Sequence, residues 1–580
     1  MNQIVIHDAN RKQWLKFSQP SQVIQANCLA EVLSRWQLVN ELVQKHKFYA
    51  VGFISYEAAA AFDSSLVTHH KIAFPLLWFG LYSRPEAIDL PEGAADFTLD
   101  WQSKISEGFY HRAIAKIKDY IAQGDSYQVN YTIKLLAEFA GSPWEYFLQL
   151  VKAQQADYAA YLDLEDWAIC SASPELFFSC DRDLVTTRPM KGTVARGYSC
   201  DRDLALAQWL HTSEKNRAEN VMIVDMIRND LAKIAQLNSI KVTNLFQVEK
   251  YPTLWQMTST VTAKTKAPIT DIMSAMFPCA SITGAPKSRT MEIIRELETQ
   301  PRNIYTGTIG FITPNNQAQF NVAIRTVAIN KKTNHAEYGV GGGIVWDSIS
   351  HQEYQECQIK SQVLTRKYPS FDLLETILWT AHEGYFLLNY HLQRLENSAS
   401  YFNFELDLPA IDKKLQLLAN SLADKPHKVR LIVTKKGQIK CEAIPLSLSK
   451  LSLSQPVKLC LADAAIDIHN PFVYHKTTNR KVYNNTLKLY PDYDDVILWN
   501  ERQEITETCI ANIVVKINGQ LLTPPVESGL LAGTFRAHLL ADKKITEAVI
   551  RKQDLLQCEN IYVINSVRKW QTVNLKKDEG

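Results

Sequence analysis

Glu353, Glu356 and Lys360 are spaced by three and four residues, which places two carboxylates and an amine on one face of a helix. A second helical pattern, residues 214–231, carries Glu219 within Arg217-Ala218-Glu219-Asn220. Carboxylates from two helices could hold Mg²⁺ through hard oxygen ligands. The same spacing also suits a solvated helix face laced with ion pairs. Residues 319–329 alternate Phe320, Val322 and Ile324 with Asn321, Ala323 and Arg325, the period of a strand. Arg325 leaves the face opposite the apolar row, either to clamp a carboxylate with two parallel hydrogen bonds or to stand as an exposed cation. In the next strand, Tyr338-Gly339-Val340-Gly341-Gly342-Gly343-Ile344, glycine suggests a bulge or close backbone approach to a ligand.

These groups must be positioned by a large body. A chain of 580 residues holds two to four domains. Up to about Asp100 it is strand-like, with 48–56 the clearest β run and a scaffolding role expected. From Phe109 a helix is predicted by Ile114, Ile117 and Ile121, ending at Gly124. Arg366-Lys367-Tyr368-Pro369-Ser370 interrupts a helical pattern and Leu373-Leu374-Glu375-Thr376 begins a strand, so a domain boundary is placed near 366. A net charge of +2 makes no electrostatic case for nucleic acid. Met1 to Asp8 lacks the basic-then-apolar pattern of a secretory signal, and no apolar run reaches membrane-spanning length. Ten cysteines lie scattered without a C-x-x-C pair, which argues against a disulfide framework or zinc site and for a reduced, cytoplasmic protein.

Several stretches then occur in one order from about 107 to 365. They are Ser173-Pro174-Glu175-Leu176-Phe177, Pro189-Met190-Lys191-Gly192-Thr193, Arg217-Ala218-Glu219-Asn220, Arg228-Asn229-Asp230, Thr283-Gly284-Ala285-Pro286-Lys287, Ile324-Arg325-Thr326 and Gly342-Gly343-Ile344-Val345 with Glu353, Glu356 and Lys360. Together they resemble the chorismate-utilising enzymes. The resemblance implies an α+β fold: a large chorismate-binding sheet-and-helix sandwich, with residues 1–106 its N-terminal scaffold part and 107–366 its catalytic region. Within that family, P-I-K-G-T marks the aminodeoxychorismate synthases and P-I-A-G-T the anthranilate synthases; here the distinguishing residue is Lys191. Displacing a ring hydroxyl by ammonia at the same carbon with retained stereochemistry is difficult directly, and a covalent detour divides the step. The resemblance assigns Lys191 as the nucleophile and Glu175 as general acid and base. It assigns Glu219 and Glu356, with Glu353, to Mg²⁺, and Arg325, Lys360, Thr283, Gly284, Gly342 and Gly343 to the substrate. Where anthranilate synthases carry a histidine, this chain has Gln256, which cannot do acid or base work and, like Trp255, has no role assigned. No glutamine amidotransferase signature occurs, so a separate glutaminase subunit is the expected source of ammonia.

A second succession follows residue 370: His391-Leu392-Gln393-Arg394-Leu395, His475-Lys476-Thr477-Thr478-Asn479-Arg480, Glu507-Thr508, Ala511-Asn512-Ile513, Gly529 to Arg536, and Asn565-Ser566-Val567-Arg568. It resembles the class IV pyridoxal 5'-phosphate enzymes and implies a smaller two-layer α+β domain over 371–580, dimeric in most of that class. By resemblance Lys476 carries the cofactor, Glu507 meets its ring nitrogen, Arg394 and the backbone N–H groups of Thr534 and Phe535 bind at its phosphate, and Ser566 is a further cofactor-binding residue. The family commonly has a β-branched residue and then Thr before the Arg; here Thr534 precedes Phe535, which shifts the hydroxyl by one position. Class membership does not choose between transamination and pyruvate elimination. The upstream region does, favouring a lyase that releases 4-aminobenzoate for folate synthesis. The alternative is an anthranilate synthase-like enzyme joined to an aminotransferase.

Overall fold

A computed structural model describes residues 3–69, 73–91, 97–365, 369–446 and 456–575. Two compact units partition the chain. The first comprises Met1–Arg196 and Ala207–Tyr368; the second comprises Gly197–Leu206 and Pro369–Gly580. Residues 366–368, on which the expected boundary falls, lie outside the described residues.

The first unit is built on two antiparallel sheets of ten strands each. Ile4, Ile6 and Phe17 of one sheet meet Val51, Phe53 and Trp78 of the other in a fully buried core, so the sheets stack face to face. Each outer face is covered by helices. Helices Leu29–His46, Glu214–Ala232 and Ile269–Met276 bury Trp36, Ile227 and Met273 against one sheet. Helices Glu107–Ala122, Pro143–Gln154 and Lys287–Leu297 bury Tyr110, Phe147 and Ile294 against the other. The layers run helix, sheet, sheet, helix. The N-terminal part is woven through this body rather than set beside it. Gln3–Asp8 pairs with Tyr158–Asp163 in one sheet, and Tyr49–Ile54 pairs with Thr308–Ile312 in the other.

One sequence expectation is corrected. Residues 319–329 are not a single strand: Ala318–Val322 lies in one sheet and Thr326–Asn330 in the other, and the chain crosses between sheets at 323–325. Arg325 takes φ 52°, a left-handed conformation that costs an arginine about 1–2 kcal/mol. The unbroken alternation hid the crossover because both strands bury their residues on both faces.

The second unit has a four-stranded sheet containing Leu373–Thr380 and His427–Val433, packed by helices Leu388–Phe402 and Leu408–Ala419. An eight-stranded mixed sheet follows, containing Asp495–Trp499, Ile505–Thr508, Asn512–Ile517 and Asn560–Asn565. Helix Thr534–Ala541 packs on this sheet through Phe535 and Leu539.

Candidate active sites

In the first unit, strand Met190–Ala195 loses register with Leu254–Lys264 between Met190 and Thr193. A bulge re-aims the residue it carries, and the residue here is Lys191. Gly192 adopts φ 97°, open to glycine and strained for any side chain. Two side chains that the sequence left without a role now have one. Gln256 Nε2 donates to Gly192 O at 2.8 Å and its Oε1 accepts from Thr193 Oγ1 at 3.0 Å, which fixes the bulge. Trp255 lies under the Arg196 guanidinium, 5.1 Å from ring centroid to Cζ.

Lys191 enters a cavity of about 400 Å³ that is also lined by Glu175, Glu219, Arg325, Gly342, Gly343, Glu353, Glu356 and Lys360. The spacing-derived helix face and the Glu219 helix therefore do converge. Lys191 Nζ lies 3.8 Å from Glu219 Oε2. Glu356 Oε1 lies 2.5 Å from Lys360 Nζ, which also donates to Gly341 O at 2.8 Å. Lys360 holds Glu356 below its ordinary pKa, whereas burial, aided by Glu356, raises Glu353. Burial would lower Lys360, but the Glu356 carboxylate outweighs it and raises it. Arg325 Nη1 donates to Lys360 O, tying the sheet crossover to helix Ser350–Ser361.

Glu175 is 3% exposed, and burial pushes its carboxyl up to about 7 against the opposing hydrogen bond from Ser281 Oγ at 2.6 Å. Ser281 lies two residues before the Thr283-Gly284 pair picked from the sequence, and it is Ser281 that reaches the cavity. Thr283 and Gly284 do not line it. The Thr283 hydroxyl is spent on Cys279 O and Ala280 O, and Gly284 pairs in the ladder with Val129. No sequence pattern marked Ser281, whose partner is 106 residues away.

The glycine-rich strand His335–Ile344 forms a floor without side chains. A Cβ on Gly343 would lie 2.2 Å from Lys191 Nζ and 2.8 Å from Gln128 Nε2. Both amide atoms of Gln128 are buried and make no hydrogen bond among the described residues. Such groups cost about 1–3 kcal/mol unless a polar guest or water meets them. Gly343→Ala is accordingly expected to displace the Lys191 amine and cut chemistry there by about 10²-fold. The second unit should turn over at its normal rate, and separate assays of the two units check this.

Besides Glu175, the carboxylates of Glu219, Glu353 and Glu356 thus face one cavity, the hard-oxygen donor chemistry that suits Mg²⁺. As placed, Glu219 and Glu356 each sit with a lysine, and among the described residues no three acidic, His or Cys groups already form a metal cluster.

The second unit has a cavity of about 420 Å³ lined by Arg394, Lys476, Glu507, Gly533, Thr534 and Ser566. Burial, reinforced by the Arg394 cation, lowers Lys476 to about 8, so a useful fraction of its amine is neutral near pH 7. Glu507 accepts from Tyr483 OH at 2.8 Å, Leu531 N at 3.2 Å and Asn512 Nδ2 at 3.3 Å, while burial lifts its carboxyl to about 7.

A buried relay settles what Thr534 can donate. Arg394 Nε and Nη2 grip Glu375 at 2.9 and 2.6 Å, and His391 Nδ1 lies 2.7 Å from Glu375 Oε2. Burial would raise Glu375, but Arg394 outweighs it and holds the carboxyl at about 2. Glu375 is therefore an acceptor only, and burial keeps His391 neutral, so its Nδ1 carries the proton. His391 Nε2 then accepts from the Thr534 hydroxyl at 3.3 Å. That hydroxyl proton is committed, which leaves Arg394 and the uncapped N–H groups beginning helix Thr534–Ala541 to meet an anion. The side chain of Phe535 packs in the core against Trp570; only its backbone serves. Ser566 Oγ donates to Thr376 O at 3.3 Å and lines the cavity.

Comparison with known proteins gives two family matches. The family described as chorismate binding enzyme matches residues 1–366, and amino-transferase class IV matches 372–575. Over 45% of this chain, the sequence is 44% identical to aminodeoxychorismate synthase component 1 of Escherichia coli (strain K12), covering 58% of that protein. It is 36% identical to anthranilate synthase component 1 of Lactococcus lactis over 46% of this chain and 59% of the relative. The chain thus spans less than two thirds of the length of these curated relatives. Anthranilate synthase component I from Streptococcus pneumoniae superposes with a TM-score of 0.54 at 24% identity, over 63% of this chain and 92% of that one, which shows a shared fold.

Proposed function

Because the chain belongs to the chorismate binding enzyme family over residues 1–366 and matches the class IV aminotransferases behind it, we propose that it converts chorismate and ammonia to 4-amino-4-deoxychorismate and then to 4-aminobenzoate. The observation that carries the first half is Lys191, held on a bulge over a glycine floor in a cavity shared with Glu175 and Glu219. The higher identity to the aminodeoxychorismate synthase relative than to the anthranilate synthase relative points the same way.

In this reading the Lys191 amine attacks the conjugated ring as the ring hydroxyl leaves. Protonated Glu175 supplies the proton that carries it off as water. Ammonia then bonds at the vacated carbon, the Lys191–ring bond breaks, and Glu175 receives the proton that ammonia sheds. Arg325 and Lys360 orient the ring carboxylate by charge-assisted hydrogen bonds. Glu219, Glu353 and Glu356 would hold Mg²⁺, which supplies electrostatic anchoring of that carboxylate. Glu219 is shared, since its pull on Lys191 weakens when it serves as a metal ligand.

In the second unit Lys476, Glu507 and Arg394 would hold pyridoxal 5'-phosphate, whose chemistry when bound is to stabilise negative charge at a substrate carbon. Lys476, with its lowered pKa, takes the ring proton as pyruvate departs and the ring becomes aromatic. Glu507, its carboxyl raised by burial, would meet the ring nitrogen of the bound cofactor, and the Glu375 carboxylate holds Arg394 in place. A glutaminase subunit supplies ammonia, and class IV chemistry suits a homodimer through the second region. The free cysteines are in keeping with a reducing, cytoplasmic setting for folate synthesis; among the described residues no helix is long and apolar enough to cross a membrane.

Product analysis with chorismate, ammonium, Mg²⁺ and pyridoxal 5'-phosphate tests the reading. 4-Aminobenzoate and pyruvate are expected, whereas anthranilate would sink it. Glu175 adds a pH signature. Its carboxyl must be protonated to release the hydroxyl, so single-turnover reaction at Lys191 should fall as pH rises through about 7. In Glu175→Gln that limb should vanish and the rate drop by about 10²–10⁴-fold.

A further inference from the structure

A buried phenol grips the carboxylate that the second cavity presents. Helix Lys481–Leu489 follows the segment that supplies Lys476 and carries Tyr483, which is 6% exposed and belongs to the same core as Val473 and Cys509. The Arg480 guanidinium lies over the Tyr483 ring, 4.7 Å from centroid to Cζ, and is itself fixed by donation from Nη2 to Cys509 O at 2.6 Å. Packing on one side and a cation on the ring face leave the phenol one orientation.

The Tyr483 hydroxyl donates to Glu507 Oε1 at 2.8 Å; Val473 O, at 3.4 Å, is the weaker acceptor. Burial and the Glu507 charge keep the phenol protonated, so it is a standing donor. Counting lone pairs assigns the rest of the carboxylate. Oε1 takes two donors, Tyr483 OH and Leu531 N at 3.2 Å, and is filled; Oε2 takes Asn512 Nδ2 at 3.3 Å and keeps a lone pair. A proton that Glu507 holds or shares therefore sits on Oε2. The Tyr483 bond opposes its uptake, because that bond favours the ionised carboxylate. Arg480 and Lys476 also face Glu507 and favour its ionised form, and the Cys509 thiol beside it is raised by burial and stays neutral.

We infer that Tyr483 is a positioning residue of the second site: its hydroxyl, donated to Oε1, fixes Glu507 so that Oε2 meets the cofactor ring nitrogen and leaves the shared proton on that nitrogen. The inference deepens the proposed reading and rests on it, since it takes pyridoxal 5'-phosphate as the occupant of the cavity. A protonated ring nitrogen is the better sink for negative charge. Tyr483 thus acts on the reaction through Glu507, and the geometry that does so is built before anything binds.

The test follows the visible band of the full-length holoenzyme as pH is raised. That band reports loss of the proton at the bond between Lys476 and the cofactor, a proton held more tightly when the ring nitrogen is neutral. Removing a hydrogen bond to a charged group changes its proton affinity by about tenfold or more. In Tyr483→Phe the midpoint is therefore expected to rise by at least about half a pH unit, with kcat for 4-aminobenzoate down about tenfold and KM nearly unchanged. Phenylalanine keeps the ring under Arg480 and the core filled. In a Glu507→Gln background the same substitution should move the midpoint by less than about 0.2 units, because the group it acts through is gone. An unchanged midpoint in Tyr483→Phe overturns the inference. So does an equal rise in both backgrounds, which makes Tyr483 a packing residue, and so does loss of the band in Tyr483→Phe, which makes it a cofactor-retention residue. Absence of a visible band in the unaltered protein with added pyridoxal 5'-phosphate sinks the cofactor reading itself; a normal band there with no rise in Tyr483→Phe sinks the inference alone.

Discussion

In the Lys191→Ala protein, amination of chorismate is expected to fall by about 10³-fold or more, while added aminodeoxychorismate is still converted to 4-aminobenzoate. The size follows from what the residue does in the proposed mechanism. Without the amine there is no covalent detour, and direct displacement by ammonia must occur on the face the hydroxyl leaves. The neighbouring groups cannot substitute: Glu175 and Glu219 are carboxylates, and Lys360 is paired with Glu356 at 2.5 Å and bonded to Gly341 O. Intact-mass measurement provides the direct check. Incubated with chorismate in the absence of ammonia, the unaltered protein should gain the mass of chorismate less one water, and the variant should gain nothing. Undiminished amination in the variant would remove Lys191 from the mechanism and leave the cavity to act by binding alone. Folding is not at stake, because the side chain packs no core cluster and Gln256 holds the bulge through backbone and Thr193 contacts.

The complementary expectation concerns Lys476→Ala. Aminodeoxychorismate should accumulate from chorismate and ammonium, 4-aminobenzoate formation should drop by about 10³-fold or more, and the visible absorbance of the bound cofactor should be lost. The pKa of the Lys476 amine is lowered to about 8, by burial and by Arg394. Arg480 and Arg394 remain charged and cannot take a proton. Retained 4-aminobenzoate formation would assign the proton transfer elsewhere. Because the two lysines lie in separate units, mixing the two single variants should restore the overall conversion through released intermediate, and the extent of restoration measures how freely that intermediate leaves.

Much of both sites was legible in the chain. Glu353, Glu356 and Lys360 announce their common helix face because side chains three and four apart must share one, and the family motifs single out Lys191, Glu175, Lys476 and Glu507. The structure brings all of these to their cavities. Thr283 and Gly284 stand differently. They belong to a motif, but a motif does not say which hydroxyl faces inward, and the turn there directs Ser281 to Glu175 while Thr283 caps its own backbone. Likewise the Thr534 hydroxyl was visible one position from its usual place, but its commitment to His391 depends on a proton chain through residues 143 and 159 positions away in sequence.

By itself the sequence determined local matters: which helix faces carry charge, where glycine removes side chains from a strand, and which residue types the reactions need. These depend on spacing along one element, and a periodic chain displays them. Only the tertiary structure decided the rest. It split 318–330 between two sheets at Arg325, turned Lys191 outward on a bulge, raised Glu175 and lowered Lys476 by burying them, and set the Tyr483 hydroxyl against Glu507. The physical reason is common to all four. Desolvation, charge coupling and sheet exchange depend on neighbours that are distant in sequence, and no spacing rule along the chain encodes what will be packed against a side chain.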